Sequence, residues 1–363
     1  MKVALGNLGY ITYSLKTSLE ILGVEVLVSP PNNEQMHRIA QAYMPSELCY
    51  PLKILLGNYI YNKDIKADAV IFFSGCDMCN LSPINYSYKD IFNDLGWHPD
   101  VYFCEINSKK RFILTYINAL KKISKKPWHK LAASIYLGIK KYELFNNLDQ
   151  IFYSIRPGIT DIYESEKLYN SFFNKLVDAS NSKQLKEIKY ELFNIYSEYS
   201  INLKTDTLRV GLIGDIYSLS EPFTHHFTDK QLGYMGVIVD RWSEHKFLPE
   251  DYKKIDNIET ESSLLLQNLF KNQYGVFTSL EILKLGRYIN RGYDGLIFIS
   301  PLECNPNDAL RNLLSTVQSE TSVPILELVF DEHTSSMGVN ARLDAYVDML
   351  KRRKYSKIKT IIK

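Results

Sequence analysis

Short, continuous apolar runs recur in two separated parts of the 363-residue chain, each run flanked by segments with helical periodicity. Val3–Gly6, Val24–Val28, Ala69–Phe73 and Val101–Cys104 form the first set. Arg209–Ile213, Val237–Asp240, Leu296–Ser300 and Ile325–Phe330 form the second. Runs this short and this uniformly apolar suit strands buried on both faces, the condition of a parallel sheet covered by helices. Tyr13–Leu22, Tyr50–Tyr61 and Tyr88–Leu95 read as helices of the first part, and Ser279–Arg291, Asn307–Ser319 and Asn340–Arg352 as helices of the second. From about Ser108 to Thr205 no run reads as a strand. Helices are expected there over Phe112–Ile123, Leu131–Phe145, Ile159–Asn181 and Leu185–Leu203, with Pro157-Gly158 as a break. The expected class is α/β: two Rossmann-like parallel-sheet domains facing each other, with a helical insertion between them. The division runs 1–107, 108–205 and 206–363.

The two α/β parts echo one another. Val70-Ile-Phe-Phe-Ser-Gly-Cys76 resembles Leu296-Ile-Phe-Ile-Ser-Pro-Leu-Glu-Cys304, each an apolar strand that delivers a cysteine just past its carboxyl end. In open α/β sheets that edge is where ligands bind.

Composition narrows the class further. With 45% hydrophobic and 23% charged residues the chain is neither disordered nor fibrous. Its longest apolar stretches are about five residues, against the roughly 18 that span a bilayer. Met1-Lys2 runs into Val3-Ala4-Leu5, which reads as a strand, not a signal peptide, so a cytoplasmic protein without a membrane partner is expected. The net charge is only +2, but Lys109 to Lys141 holds ten Lys or Arg and no acid, and Lys351–Lys363 holds seven. Such blocks are ordinarily solvated faces, sometimes docking surfaces. Neither has the glycine and aromatic pattern of an RNA-binding module, so no nucleic acid is expected.

Five cysteines, an odd number, argue against a disulfide framework in such a chain. Cys76-Asp-Met-Cys79 alone admits thioredoxin-type, zinc and iron–sulfur readings. Asn80, Ser82 and Pro83 disfavour a helix starting at Cys76, which the first reading needs. Only one compact pair exists where zinc wants two. An iron–sulfur cluster needs three or four thiolates that a fold can gather from distant loops. Cys49, before Pro51, and Cys304, before Pro306, stand beside expected helix starts, where amides and the helix dipole stabilise anionic sulfur. Cys104 ends an apolar strand and reads as a small buried hydrophobe.

Other residues are weighed in the same way. His333 could donate a proton or hydrogen-bond a cluster sulfur, with Glu332 tuning it, while Asp331 and Glu332 could instead cap the next helix. Arg342 would pair with one of those acids. Glu221 could reach the site, though Pro222 reads as a turn residue. His225 and His226, adjacent in an extended segment, would point apart. Lys53, one helical turn after Cys49, could offset cluster charge or meet a phosphate, and is by default a solvated lysine. No Gly-x-x-x-x-Gly-Lys-Ser/Thr run occurs, so any ATP must be handled by a partner.

The run Ser46-Glu-Leu-Cys49-Tyr-Pro-Leu-Lys-Ile-Leu-Leu-Gly57-Asn58 resembles the cysteine–proline–lysine motif of the 2-hydroxyacyl-CoA dehydratase and acyl-CoA dehydratase activase-related family. Gly75-Cys76-Asp-Met-Cys79 resembles its Cys-x-x-Cys loop. Gly214-Asp-Ile-Tyr-Ser-Leu-Ser-Glu221-Pro222-Phe223, Pro301-Leu-Glu-Cys304-Asn-Pro and Asp331-Glu332-His333-Thr334 with Ala341-Arg342 resemble its later motifs, in family order. Asp77, Met78, Asn80, Asn305 and Ala341 depart from the pattern. The resemblance implies an anaerobic electron-transfer component. An actin-like ATPase with its own iron–sulfur cluster would pass a low-potential electron to one [4Fe–4S] cluster held by Cys49, Cys76 and/or Cys79, and Cys304. The chain would then reduce or dehydrate a substrate, in the best-known cases an acyl-CoA. The alternative from another class is a zinc-stabilised or metal-free scaffold for the partner ATPase.

Overall fold

Among the described residues, four parallel strands form each of two sheets, and both sheets are laid out in the same order. The structure, a computed structural model, describes residues 1–61, 67–74, 79–105, 109–241 and 276–361. In the N-terminal lobe β1 (Lys2–Leu5), β2 (Glu25–Val28), β3 (Ala69–Ser74) and β4 (Asp100–Glu105) stand in the order β2-β1-β3-β4. In the C-terminal lobe β5 (Leu208–Gly214), β6 (Val237–Asp240), β7 (Gly295–Pro301) and β8 (Ile325–Phe330) stand in the order β6-β5-β7-β8. All seven residues of β7 are buried, which is why its sequence is apolar without alternation. The α/β class expected from the sequence is the class observed.

The N-terminal lobe carries α1 (Tyr10–Ile21), α2 (Glu34–Gln41), α3 (Tyr50–Tyr61) and α4 (Leu81–Asp94). Between β4 and β5 run α5 (Lys109–Ser124), α6 (Trp128–Ile155), α7 (Ile162–Asp178) and α8 (Ser182–Ser200). The C-terminal lobe adds α9 (Ile216–Ser220), α10 (Thr228–Tyr234), α11 (Val276–Asn290), α12 (Asn305–Thr321) and α13 (Ser336–Ile361). No helix among the described residues is long and apolar enough to cross a membrane.

Three differences from the sequence reading have local causes. The helix α2 escapes it because eight largely polar residues follow Pro30-Pro31; Asn33 starts it by accepting from the amides of Gln35 and Met36. The helix α4 begins at Leu81, with Pro83 inside its first turn, where a missing N–H costs nothing. The helix α6 runs ten residues beyond Phe145 because Leu148 and Phe152 continue its buried stripe. It crosses α1 closely: a Cβ on Gly138 would stand 2.3 Å from Ser18 Oγ. Its Asp149 accepts from Tyr169 at 2.9 Å and from Arg241, beyond β6, at 2.8 Å, tying the middle helices to the second sheet.

In both lobes the chain leaves the first strand to one side and returns on the other. The switch point therefore lies between β1 and β3, and again between β5 and β7. The carboxyl ends of both sheets meet at one seam, where Lys53 of α3 contacts Glu332 beyond β8 and Tyr217 of α9 contacts Asn7 beyond β1.

Candidate functional site

Each described cysteine of the predicted set stands at the mouth of a helix. Cys49 immediately precedes α3, Cys79 lies two residues before α4, and Cys304 is the residue that opens α12. Cys49-Tyr-Pro51 and Cys304-Asn-Pro306 are the same device, with proline in the first turn, where it is free of any donor duty. The Leu52 amide faces the Cys49 thiol, and the Asn307 amide faces the Cys304 thiol. Each such hydrogen bond favours the thiolate.

These sulfurs come together. The charge of Cys49 raises the Cys304 thiol, and that of Cys79 raises both. Burial raises both thiols far above their ordinary range, the Asp215 carboxylate pushes them further, and Lys53 partly offsets this at Cys49. Metal-free, they are neutral thiols; a bound cation would take their protons. The side-chain nitrogen of Asn307, three residues after Cys304 in the first turn of α12, is buried and has no hydrogen-bond partner among the described residues. An unspent N–H donor in the helix turn that Cys304 opens is of the kind an anionic sulfur cluster would use, so the donor set fits such a group. No three His, Cys, Asp or Glu side chains among the described residues stand close enough to hold a single ion. Cys76 lies outside the described residues. Cys104 is fully buried on β4 opposite Phe73, and burial pushes its thiol up to about 12.

Lys53 is not the solvated lysine expected. Its side chain is 3% exposed, and Nζ donates to Glu332 Oε1 and to the Ser46 carbonyl, both at 2.8 Å. The reason is the seam: the second lobe covers α3 and supplies the carboxylate. Burial alone would raise the Glu332 pKa, but the Lys53 hydrogen bond and charge outweigh it and hold the group ionised. Glu332 is thus engaged by Lys53. His333 is exposed, and its amide donates to Asp331 Oδ1 at 3.0 Å, so Asp331 shapes the turn. Arg342 donates to the Glu327 carbonyl at 2.6 Å instead of meeting Asp331 or Glu332.

His225 and His226 are not extended. The first ends a short 3-10 turn that Pro222 opens, and the second is left-handed. His225 Nδ1 takes the Thr228 amide, while His226 pairs with the Thr334 carbonyl at 2.9 Å. Both are spent on structure.

Four residues of the seam went unassigned in the sequence. Asp215, which follows β5 and caps α9 through the Ser218 amide at 2.7 Å, acts on both Cys49 and Cys304. Its place after a glycine at a strand end, in a motif already singled out, was the available signal. Asn307 carried none. His37 of α2 packs edge-on against Tyr50, ring centroids 5.3 Å apart, with Nε2 buried and unpartnered among the described residues. Tyr50 follows Cys49, and burial together with Glu332 drives its hydroxyl well above the ordinary range.

Glu221 does reach the seam. Burial raises its carboxyl to about 7, against the Phe223 amide and the side chains of Asn32 and Asn7, which favour the charged form. Beside it the Tyr217 hydroxyl donates to the Asn7 carbonyl at 3.0 Å and accepts from Asn32 at 3.3 Å.

No family model matches the sequence, and no curated protein does. Among solved structures, that of the SBP FpvC from Pseudomonas aeruginosa in complex with Mn2+ aligns over 98% of this chain and 99% of its own, at 11% identity and a TM-score of 0.25. So loose a likeness carries no argument.

Proposed function

We propose that the chain is a cytoplasmic iron–sulfur redox protein related to the 2-hydroxyacyl-CoA dehydratases. It receives a low-potential electron from an actin-like ATPase with its own cluster and reduces or dehydrates a substrate such as an acyl-CoA. One observation carries the reading: Cys49, Cys79 and Cys304, from three loops in two lobes, lie within electrostatic reach of one another at helix mouths. Cys49 and Cys304 are buried free thiols.

Cys49, Cys304 and Cys79, with or without Cys76, would hold one [4Fe–4S] cluster. Bound there, it would supply one-electron chemistry and, at an iron without a thiolate, Lewis acidity toward a carbonyl. The chain's own residues define the surroundings. Burial of Cys49 and Cys304 keeps water from the sulfurs. The Asp215 carboxylate opposes added negative charge and so favours a low potential. Lys53 and Glu332 clamp the lobes over the site. Glu221 keeps a proton at the seam up to about pH 7.

Anaerobic purification with iron and sulfide analysis and EPR tests the reading. Brown protein with a cubane signal is expected, and Cys49→Ser or Cys304→Ser should each remove more than half of the iron, whereas Cys104→Ser should retain it. A colourless, iron-free protein that cannot be reconstituted would end the proposal. Stoichiometric zinc without visible absorption would establish the scaffold reading in its place.

A further inference from the structure

Five lysines of the basic block Lys109–Lys141 gather at one corner, the turn between α5 and α6. The helix α5 follows β4 and runs back along the sheet, so its last turn lies at the edge opposite the cysteines. Ile123 and Leu131 share one buried cluster with Val3, Val24 and Ala69, at or next to the starts of β1, β2 and β3. Sixteen residues of helix separate that turn from the other edge, about 24 Å. A partner seated on the corner would therefore be too far from Cys49 and Cys79 to hand over an electron directly. The corner needs another occupant.

Its build is specific. Lys121, Lys122, Lys125, Lys126 and Lys130 are all exposed around Trp128, which is 78% exposed at the first position of α6. The turn is tight. The Lys125 amide closes α5 on the Lys121 carbonyl at 2.9 Å, Ser124 Oγ takes the Lys126 amide at 3.3 Å, and Pro127 fixes the entry to α6. Lys125 adopts a left-handed backbone, φ 54°, at a helix end where glycine is the unstrained choice. A cation is kept there against the local preference. Of the acids at the strand starts on this edge, Glu25 pairs with Lys2 and Asp68 accepts the Lys2 amide, while Asp100 stands exposed.

We propose that this corner docks the protein on an anionic lipid surface, with the indole of Trp128 in the headgroup layer and the five lysines against the phosphates. The chain would lie on the bilayer without spanning it, contrary to the expectation of no membrane partner. Trp128 and the edge-on His129 beside it, centroids 6.2 Å apart, do not form the series of parallel rings on which successive bases stack, which favours lipid over single-stranded nucleic acid.

Co-sedimentation of the full chain with vesicles of phosphatidylcholine, with and without a quarter phosphatidylglycerol, tests this. Binding to the anionic vesicles at low salt, release at 0.5 M salt and no binding to the neutral ones are expected. Replacing Lys121, Lys122, Lys125 and Lys126 together by Gln should weaken binding roughly a thousandfold. Trp128→Ala should weaken it while leaving the thermal transition in place. Lys125→Gly discriminates best: it should raise the melting temperature, by relieving the backbone, and still lower vesicle affinity. Absence of binding at low salt, equal binding by the quadruple variant, or capture of oligonucleotide but not of vesicles would each overturn the proposal.

Discussion

The two lobes share one strand order yet bring opposite chemistry to the seam. The N-terminal lobe offers Cys49 and Cys79, the cation Lys53 and the amide side chains of Asn7 and Asn32. The C-terminal lobe offers Cys304 and three acids, Asp215, Glu221 and Glu332. A repeated topology fixes where loops emerge, at the carboxyl edge beside each switch point. It leaves free what those loops carry. The difference makes the lobes complementary: donors and a cation on one side find carboxylates on the other, and the cysteines are enclosed between them.

The buried Lys53–Glu332 pair is the strongest single expression of that complementarity, and breaking it should have the largest effect. Lys53→Met leaves Glu332 charged, only 13% exposed and without its partner. A loss of about 3 kcal/mol is expected, at the lower end for buried pairs because Glu332 keeps an edge on water. Lys53→Met with Glu332→Gln should recover most of it, since no uncompensated charge then remains. Denaturant titrations of the wild type and the two variants measure this. Equal losses in the single and double variants would show that the pair does not join the lobes.

Glu221 sharpens the contrast through pH. Its carboxyl holds a proton to about 7 in the folded chain against an ordinary value of 4.5. Below pH 4.5 both states are protonated and folding bears no penalty. Between 4.5 and 7 the unfolded chain ionises first, so stability falls as pH rises, and above 7 the full penalty stays, at most roughly 3 kcal/mol. Glu221→Gln cannot ionise and keeps an oxygen for Asn32 and Asn7. It should match the wild type at pH 4 and exceed it at pH 8, as melting curves at the two pH values would reveal. A constant offset would mean that the carboxyl ionises freely in the folded state.

Much of this was legible in the chain itself, for reasons that differ between residues. The sheets were readable because strands such as β7, buried on both faces, leave an uninterrupted apolar run. Helix mouths at Cys49 and Cys304 were readable because a proline two residues on tolerates only the first turn of a helix. Lys53 was misread because its burial depends on the other lobe, through a partner 279 positions away. Asp215 was in view but without a role for the same reason: the sulfurs it acts on stand before α3 and at the mouth of α12, not among its sequence neighbours. Local rules find the elements; the seam is made by contacts that no local window contains.

Two glycines at the ends of α1 allow the finest test of how closely the lobes meet. Both have positive φ, 63° at Gly9 and 81° at Gly23, so alanine strains either one. Around Gly23 a Cβ would meet nothing within 4 Å, whereas at Gly9 it would stand 2.6 Å from the Ser220 carbonyl oxygen of the opposite lobe. Gly23→Ala should therefore cost only the backbone term, about 1 kcal/mol. Gly9→Ala should cost about 1–2 kcal/mol more, because the lobes must part to admit the methyl group. Parting should also show at the sulfurs: alkylation of Cys49 and Cys304 should quicken in Gly9→Ala and stay at the wild-type rate in Gly23→Ala. Equal stability losses with unchanged alkylation would mean that the Ser220 contact yields without opening the seam, and that Lys53 with Glu332 holds it shut alone.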